Sequence, residues 1–446
     1  MKFKTFKIGG VHPDESKLSS GAAIEDLPLP QTAYISMAQH LGAPATPAVQ
    51  KGDKVKVGQV IATPTGFVSA AIHSPYSGTV TAVEPRADLA GNSVMHVVIA
   101  VEGDEWLPEI DRSADIKREI ADTPEQIIEK IKAAGIVGLG GAAFPTHIKL
   151  CPPPGKKAEC LILNGTECEP YLTSDDRIMQ EHTEEIILGA VIMMKALGVD
   201  KGYVGIEENK PAAIKAMQSI VSKYPQIKVV TLKKKYPQGG EKQLIDAVIG
   251  RRVPSLGLPI DTGAVVQNVG TALAVYEAVQ KGKPLIDNVV TVTGRCIPQP
   301  KNFRARVGCT YAQLLEAVGG APEDAAKFIS GGPMMGKAIV NLDAATQKAT
   351  SSLLVLTEAE TLRKPESNCI RCGKCADACP MGLQPFLLSK FARLGGHYDE
   401  LEQEKVFDCI ECGCCLYTCP ANIPLLDLIR PAKAEVTKIM RSRPKK

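Results

Sequence analysis

Eight cysteines in two identically spaced groups carry the clearest chemistry in this sequence. Cys369, Cys372, Cys375 and Cys379 are followed by Pro380, and Cys409, Cys412, Cys415 and Cys419 are followed by Pro420. Both groups read C-x-x-C-x-x-C-x-x-x-C-P, a run that ligates iron–sulfur clusters. Three thiolates so close along a chain can wrap three corners of one cubane, and in twin motifs the fourth reaches the other cluster. The spacing therefore assigns one [4Fe–4S] cluster to Cys369, Cys372, Cys375 and Cys419. It assigns a second to Cys409, Cys412, Cys415 and Cys379. A pair of zinc sites is the competing reading of clustered thiolates. Zinc motifs group their ligands two and two, unlike this duplicated four with a trailing proline. Cys414 lies between two ligands, and the spacing selects Cys415 in its place.

A second stretch with chemical potential is Gly138-Leu139-Gly140-Gly141. A glycine cluster beside a helix lets backbone N–H groups approach a phosphate closely, although taken alone it serves equally well as a tight turn. A cluster relay needs something to feed it. A flavin is the common converter between two-electron hydride chemistry and one-electron carriers.

Around this loop the sequence resembles the flavin- and NADH-binding subunit of respiratory complex I, over residues about 124–275. That family's G-x-G-G-x-x-F-P-T-x-x-K loop is matched from Gly138 through Phe144-Pro145-Thr146 to Lys149. Its N-A-D-E-x-E-P segment is matched by Asn164-Gly165-Thr166-Glu167-Cys168-Glu169-Pro170, its Y-x-x-G-E-E segment by Tyr236–Glu241, and its N-N-V-E-T segment by Gln267–Thr271. Over its whole length the chain resembles the C subunits of the Rnf (Rsx) complexes, ion-pumping ferredoxin:NAD oxidoreductases. The resemblance implies FMN and NAD(H) beside the two clusters. Gly138, Gly140, Gly141 and Lys149 would lie against the FMN phosphate and ring edge. Asn164 and Glu167 would hydrogen-bond the flavin, Asn268 and Thr271 the phosphate, and Glu169 and Glu241 would face NADH. No amino-acid catalytic acid or base is required, because positioning two cofactors suffices. The sequence departs from the complex I pattern at Leu139, Thr166, Gly240 and Gln267, and no aromatic residue in 252–258 replaces the phenylalanine near the nicotinamide.

These residues need elements to hold them. Short apolar pieces from Ala43 to about Val101, separated by Gly, Pro and Ser, read as β structure. Their K-G-D-x-V and P-x-x-G-x-V turns, at Lys51–Val55 and Pro75–Val80, resemble a biotinyl/lipoyl barrel-sandwich fold. The intervening Gly66–Ala71 lacks the lysine a carrier needs, so the module reads as a docking scaffold. Helical spacing over 123–134 and 184–197, with strands at 159–163, 202–206 and 228–232, predicts an α/β layer. A strand at 288–295, a helix at 311–318 and Ser330-Gly331-Gly332-Pro333 predict a small α+β module. Helices are expected over 385–394 and 424–440. With the domain order that the resemblance implies, the expected fold is multidomain α/β and α+β: a barrel-sandwich module over 1–110, an α/β FMN/NADH-binding domain over 111–285, a β-grasp module over 286–350, and a mostly helical two-cluster ferredoxin-like domain over 351–446.

The chain's 446 residues hold 52 Lys plus Arg and 49 Asp plus Glu, a net charge of +3 that argues against nucleic-acid binding through bulk charge. The six further cysteines are scattered, as expected in a reducing cytosol. Neither a signal peptide nor 18 consecutive apolar residues is evident, so the chain is expected to be cytoplasmic and without its own membrane span. The resemblance to Rnf C subunits implies peripheral docking on the cytoplasmic side, against membrane-embedded and ferredoxin-like subunits of the same complex. His147, Cys168 and Lys233-Lys234-Lys235 are expected to be structural or surface residues, and the basic tail 441–446 a frayed terminus. Two rival readings are a soluble NAD-linked flavoprotein subunit of a hydrogenase or dehydrogenase, and a non-catalytic iron–sulfur adaptor. A carboxylate accepts hydrogen bonds from ribose hydroxyls and repels a 2′-phosphate. NADH should therefore react faster than NADPH, and Glu241→Ala should narrow that ratio; equal wild-type rates with the two nucleotides would refute the assignment.

Overall fold

A computed structural model describes residues 3–443. Near the N-terminus, a four-stranded sheet (Thr32–Ser36, Ser93–Val101, Gly78–Ala87, Lys54–Val55) faces a three-stranded one (Thr46–Pro47, Val60–Thr63, Ile72–His73). Ala33, Ile35, Ile61, Val80, Val97 and Ile99 fill the sandwich. The glycine of the P-x-x-G turn has a steric cause: a Cβ on Gly78 would sit 1.9 Å from the Ala100 carbonyl oxygen.

The central domain is a parallel four-stranded sheet ordered Ile227–Leu232, Gly202–Glu207, Cys160–Gly165, Ala264–Asn268. Parallel strands need crossover connections, and helices such as Thr183–Leu197 and Pro211–Val221 supply them. Thr183–Leu197 packs closely on Val269–Lys281, because Gly189 leaves room for the Ala272 carbonyl that any Cβ would strike at 1.9 Å. Thr123 caps the helix Pro124–Ala133 through a reciprocal bond with Gln126.

The β-grasp module is a six-stranded sheet that differs from the expected boundaries at both ends. Its strand Ser352–Thr357 lies past residue 350, pairing parallel with Asp287–Thr293 and antiparallel with Ala325–Ser330. Its outer strand Ile24–Asp26 comes from the N-terminal segment and pairs with Lys301–Arg306. That segment also bridges the central domain, Lys4 to Leu232 and Val11 to Tyr236, rather than joining the sandwich. The C-terminal region is helical, with Pro385–Leu394 and Leu425–Ser442 enclosing Leu388, Leu401, Val406 and Ile429. The last residues of the basic tail lie outside the described residues. Among the described residues no helix is long and apolar enough to cross a membrane.

Lys348 joins three of these parts. Its Nζ donates to the carbonyls of Ala71 in the sandwich and Gly135 in the central domain, both at 2.8 Å, and its N–H donates to Gln39 Oε1. Burial lowers its pKa to about 7. A neutral amine still has two N–H donors for the two carbonyls. The unfolded lysine keeps its proton up to its ordinary value of 10.5, so between about pH 7 and 10 the unfolded chain binds more protons. Stability from this group is therefore complete above that upper value and is lost as pH falls toward 7. In denaturant titrations, wild type should gain on Lys348→Met by up to about 1.4 kcal/mol per pH unit as pH rises through that window.

Candidate functional site

Asn164 and Asn268 lie at the carboxyl ends of adjacent parallel strands, where they are register partners. The carboxyl ends of such strands are where open α/β sheets bind ligands. Asn268 also caps the helix Val269–Lys281, its Oδ1 accepting from Gly270 N at 2.7 Å, while its Nδ2 donates to Asp175. Asn164 donates from Nδ2 to the Gly239 carbonyl at 2.9 Å and accepts from the Thr166 hydroxyl at 2.7 Å. The glycine loop lies over this pair. Gly138 N–H donates to Phe144 O, Leu139 N–H donates to Thr271 Oγ1 at 2.9 Å, and a Cβ on Gly140 would come within 3.3 Å of Asn268 Cβ. Gly141 takes a φ of +124°, which side-chain-bearing residues rarely adopt, with open space where a Cβ would stand. The structure thus brings Gly138, Gly140, Gly141, Asn164, Asn268 and Thr271 together. Their bare loop face, beside a helix N-terminus and two amides, fits a phosphate-bearing planar cofactor.

The acidic residues all have partners within the chain. Glu167 has a φ of +43° and turns its carboxylate onto the N-terminus of the helix Ser174–Glu181, accepting from Asp175 N, Asp176 N and the Ser174 hydroxyl. Its role is a helix cap, favoured by the exposed amides there. Glu169 accepts from Met334 N at 3.1 Å and Met335 N at 2.9 Å, in the glycine-rich loop of the β-grasp module. Burial pushes its carboxyl up to about 7. Lys149 and Glu241 pair with each other at 2.5 Å, both partly exposed, and Glu241 opens the helix Glu241–Ile249.

Three contributors are not marked by the sequence. Lys17 Nζ donates to the carbonyls of Glu167, Glu169 and Leu172, and Lys210 Nζ donates to that of Thr166 at 2.6 Å. Asp175 binds Asn268 and is pushed up by burial and then by Glu167. Lys17 sits in a segment without periodicity, so nothing local singles it out. Cys168 is a half-buried thiol accepting from Gly239 N, and desolvation raises its pKa, in line with a structural role.

The cysteines divide unequally. Cys379, Cys409, Cys412 and Cys415 line one recess with Leu383, Leu388 and Ile429. This is the ligand set the spacing assigns to the second cluster. Burial first, with the neighbouring thiols of Cys412 and Cys379 adding, raises the Cys409 thiol to about 11. Such protons leave when a thiolate binds metal. Among the described residues no three Cys, His, Asp or Glu side chains converge tightly enough for a single metal ion. The four thiols, with Cys414, open onto one shared recess, and a shared recess of four thiols is what a polynuclear cluster needs. In the other set, the Cys419 thiol adds to the burial that raises Cys375, whereas Cys369 and Cys372 are exposed. The two repeats share their turns: Arg371 and Glu411 have φ of 55° and 57°, and Gly373 and Gly413 have 76° and 79°. Cys414 is buried beside the Tyr236 carbonyl, its Sγ 3.8 Å away. Replacing Thr271 by Val keeps the shape but strands the buried Leu139 N–H. We expect a loss of about 1–3 kcal/mol in denaturant titrations, together with weaker retention of any flavin.

Four domain families match the sequence: the RnfC barrel sandwich hybrid domain over residues 4–104, the Nuo51 FMN-binding domain over 131–277, the SLBB domain over 289–338 and a 4Fe-4S dicluster domain over 361–420. The C subunit of the proton-translocating ferredoxin:NAD(+) oxidoreductase complex of Clostridium ljungdahlii is 47% identical over 97% of this chain and 94% of that protein. The Na(+)-translocating counterpart from Acetobacterium woodii is 44% identical over 98% of both. In fold, the chain is similar to an air-oxidized NAD+-reducing [NiFe]-hydrogenase, with a TM-score of 0.50 at 17% identity over 72% of this chain and 68% of that one. The chain therefore belongs to the family of C subunits of ion-translocating ferredoxin:NAD oxidoreductase complexes.

Proposed function

We propose that the chain is the NAD(H)-handling subunit of such a complex, holding FMN beneath the glycine loop and two [4Fe–4S] clusters in its thiol sets. When bound, FMN converts hydride transfer with NAD(H) into single-electron steps that the clusters carry. Gly138, Gly140 and Gly141 present backbone to the flavin phosphate, and Asn164, Asn268 and Thr271 fix the loop and strand ends around it. Lys149 and Glu241 stand as a charged pair for the nucleotide, since each is half-exposed and the pair can open to polar partners. Glu167 and Glu169 act one step back, by shaping the segment that carries them. Cys379, Cys409, Cys412 and Cys415 form the inner cluster site and Cys369, Cys372, Cys375 and Cys419 the outer one, where exposed Cys369 and Cys372 suit electron exchange with a partner.

One observation carries the reading: the strap Tyr236–Gly240 touches both sites. Gly239 receives the Asn164 amide at one end, and the Tyr236 hydroxyl donates to the Cys412 carbonyl at 2.9 Å at the other. A helical cluster region built against a flavin site is the arrangement that an electron relay needs. Docking on membrane-embedded and ferredoxin-like subunits, at the cytoplasmic face, belongs to the same proposal. So does the division at residues 110 and 285, with the β-grasp module extended through Thr357. The adaptor alternative draws support from Gly240 and from the engagement of the Glu169 carboxylate by Met334 and Met335 N–H. Anaerobic cofactor analysis decides between them. The purified chain should carry one FMN and about eight irons, with the flavin bleached by NADH. Iron without flavin or an NADH response would leave a relay adaptor.

A further inference from the structure

The strap's tyrosine is fully buried, yet its hydroxyl serves neither the glycine loop nor the sheet. Tyr236 Oη donates to the backbone carbonyl of Cys412, a thiol of the inner recess, at 2.9 Å. The same oxygen lies 3.4 Å from Glu169 Oε1. Glu169 in turn accepts from the N–H groups of Met334 and Met335, and a Cβ on Gly332 would fall 2.1 Å from its Oε2. The main chain of Tyr236 is pinned as well, its N and O pairing with Val11 O and N at 2.9 and 2.8 Å. Gly10 N–H then donates to Ala378 O, beside Cys379. The phenol is therefore held rigidly by the N-terminal segment, the central domain and the β-grasp loop, and it points at one atom of the cluster region.

From this geometry we infer that Tyr236 is a positioning residue for the inner cluster: its hydroxyl fixes the Cys412 peptide and tunes that cluster's reduction potential. The inference rests on the iron–sulfur reading of the recess. A donor on the carbonyl of a ligand residue draws electron density from the peptide beside the thiolate. The extra negative charge of the reduced state is then easier to hold, and reduction potentials follow such hydrogen bonds. Lys433 Nζ supports the same set from within the helical region, donating to Cys409 O at 2.8 Å. Tyr236 differs in coming from the flavin-bearing domain, so it makes the inner cluster's potential depend on the fit between the two.

The test is a potentiometric titration of the anaerobic full-length chain, followed by electron paramagnetic resonance. Wild type, with about eight irons and two reducible signals, checks the reading on which the inference rests. In Tyr236→Phe, one signal should shift to lower potential while the other stays. At a fixed poise, the ratio of reduced to oxidised inner cluster should fall about fivefold, the worth of one hydrogen bond. Incorporating 3-fluorotyrosine at position 236, a stronger donor of nearly the same shape, should move the same signal upward and serves where the phenylalanine protein loses iron. Both signals unchanged in iron-replete variants would overturn the inference while leaving the cluster reading intact. A wild type without two reducible signals would instead remove the reading itself.

Discussion

Buried backbone carbonyls that no sheet or helix can reach impose the constraint on which the assembly rests. Loops between modules carry such oxygens, and leaving them unpaired costs as much as a lost hydrogen bond each. Lysine answers this economically, because one ammonium offers three donors. Lys17 closes three carbonyls of the segment between Glu167 and Leu172, Lys210 closes that of Thr166, and Lys348 ties the sandwich to the residue just ahead of the glycine loop. Burying an ammonium is itself costly unless charge and hydrogen bonds compensate. The groups meet that cost differently. Burial lowers the Lys17 pKa and Lys210 adds to the effect, while Glu167 and Glu207 counter it. Lys348, for which burial is the cause and no carboxylate opposes it, is lowered to about 7.

This constraint explains why some of the site is legible in the sequence and some is not. Ligation and capping are local. The cysteine spacing and the helices Pro124–Ala133 and Pro385–Leu394 can be read from a few neighbouring residues, because the chemistry acts within one or two turns of chain. The lysine clamps act across 150 residues for Lys17 and Glu167 and 277 for Lys348 and Ala71. No periodicity records such pairs. The strand Ser352–Thr357 falls on the wrong side of the expected boundary for a related reason. Its central position in a six-stranded sheet follows from partners distant in sequence, while the nearby cysteines draw the division toward themselves. The acidic residues of the 164–170 segment are legible as a motif but not as roles. A carboxylate on a residue with positive φ can swing toward a helix terminus as readily as toward a ligand, and the terminus of Ser174–Glu181 supplies three donors to Glu167.

Gly240, a departure from the complex I pattern, has its cause at the same junction. A Cβ there would come within 2.4 Å of Gln243 Oε1, and Gln243 Nε2 donates to the Pro380 carbonyl at 3.3 Å. Pro380 follows Cys379, so the glutamine contacts the helical region next to a thiol of the inner recess. A glutamate at position 240 would displace it and place a second carboxylate beside Glu241, at the start of the helix. The neighbouring Gly239 is constrained in the same way, since a Cβ would lie 2.5 Å from Thr166 Oγ1. Two consecutive positions without side chains thus let the strap pass between the Asn164 amide and the cysteine-bearing region. A chain carrying a twin-motif tail against its central domain needs that passage. Gly240 thus leaves Gln243 free to reach the tail, and the surface formed by Asn164, Asn268 and the glycine loop is built without it.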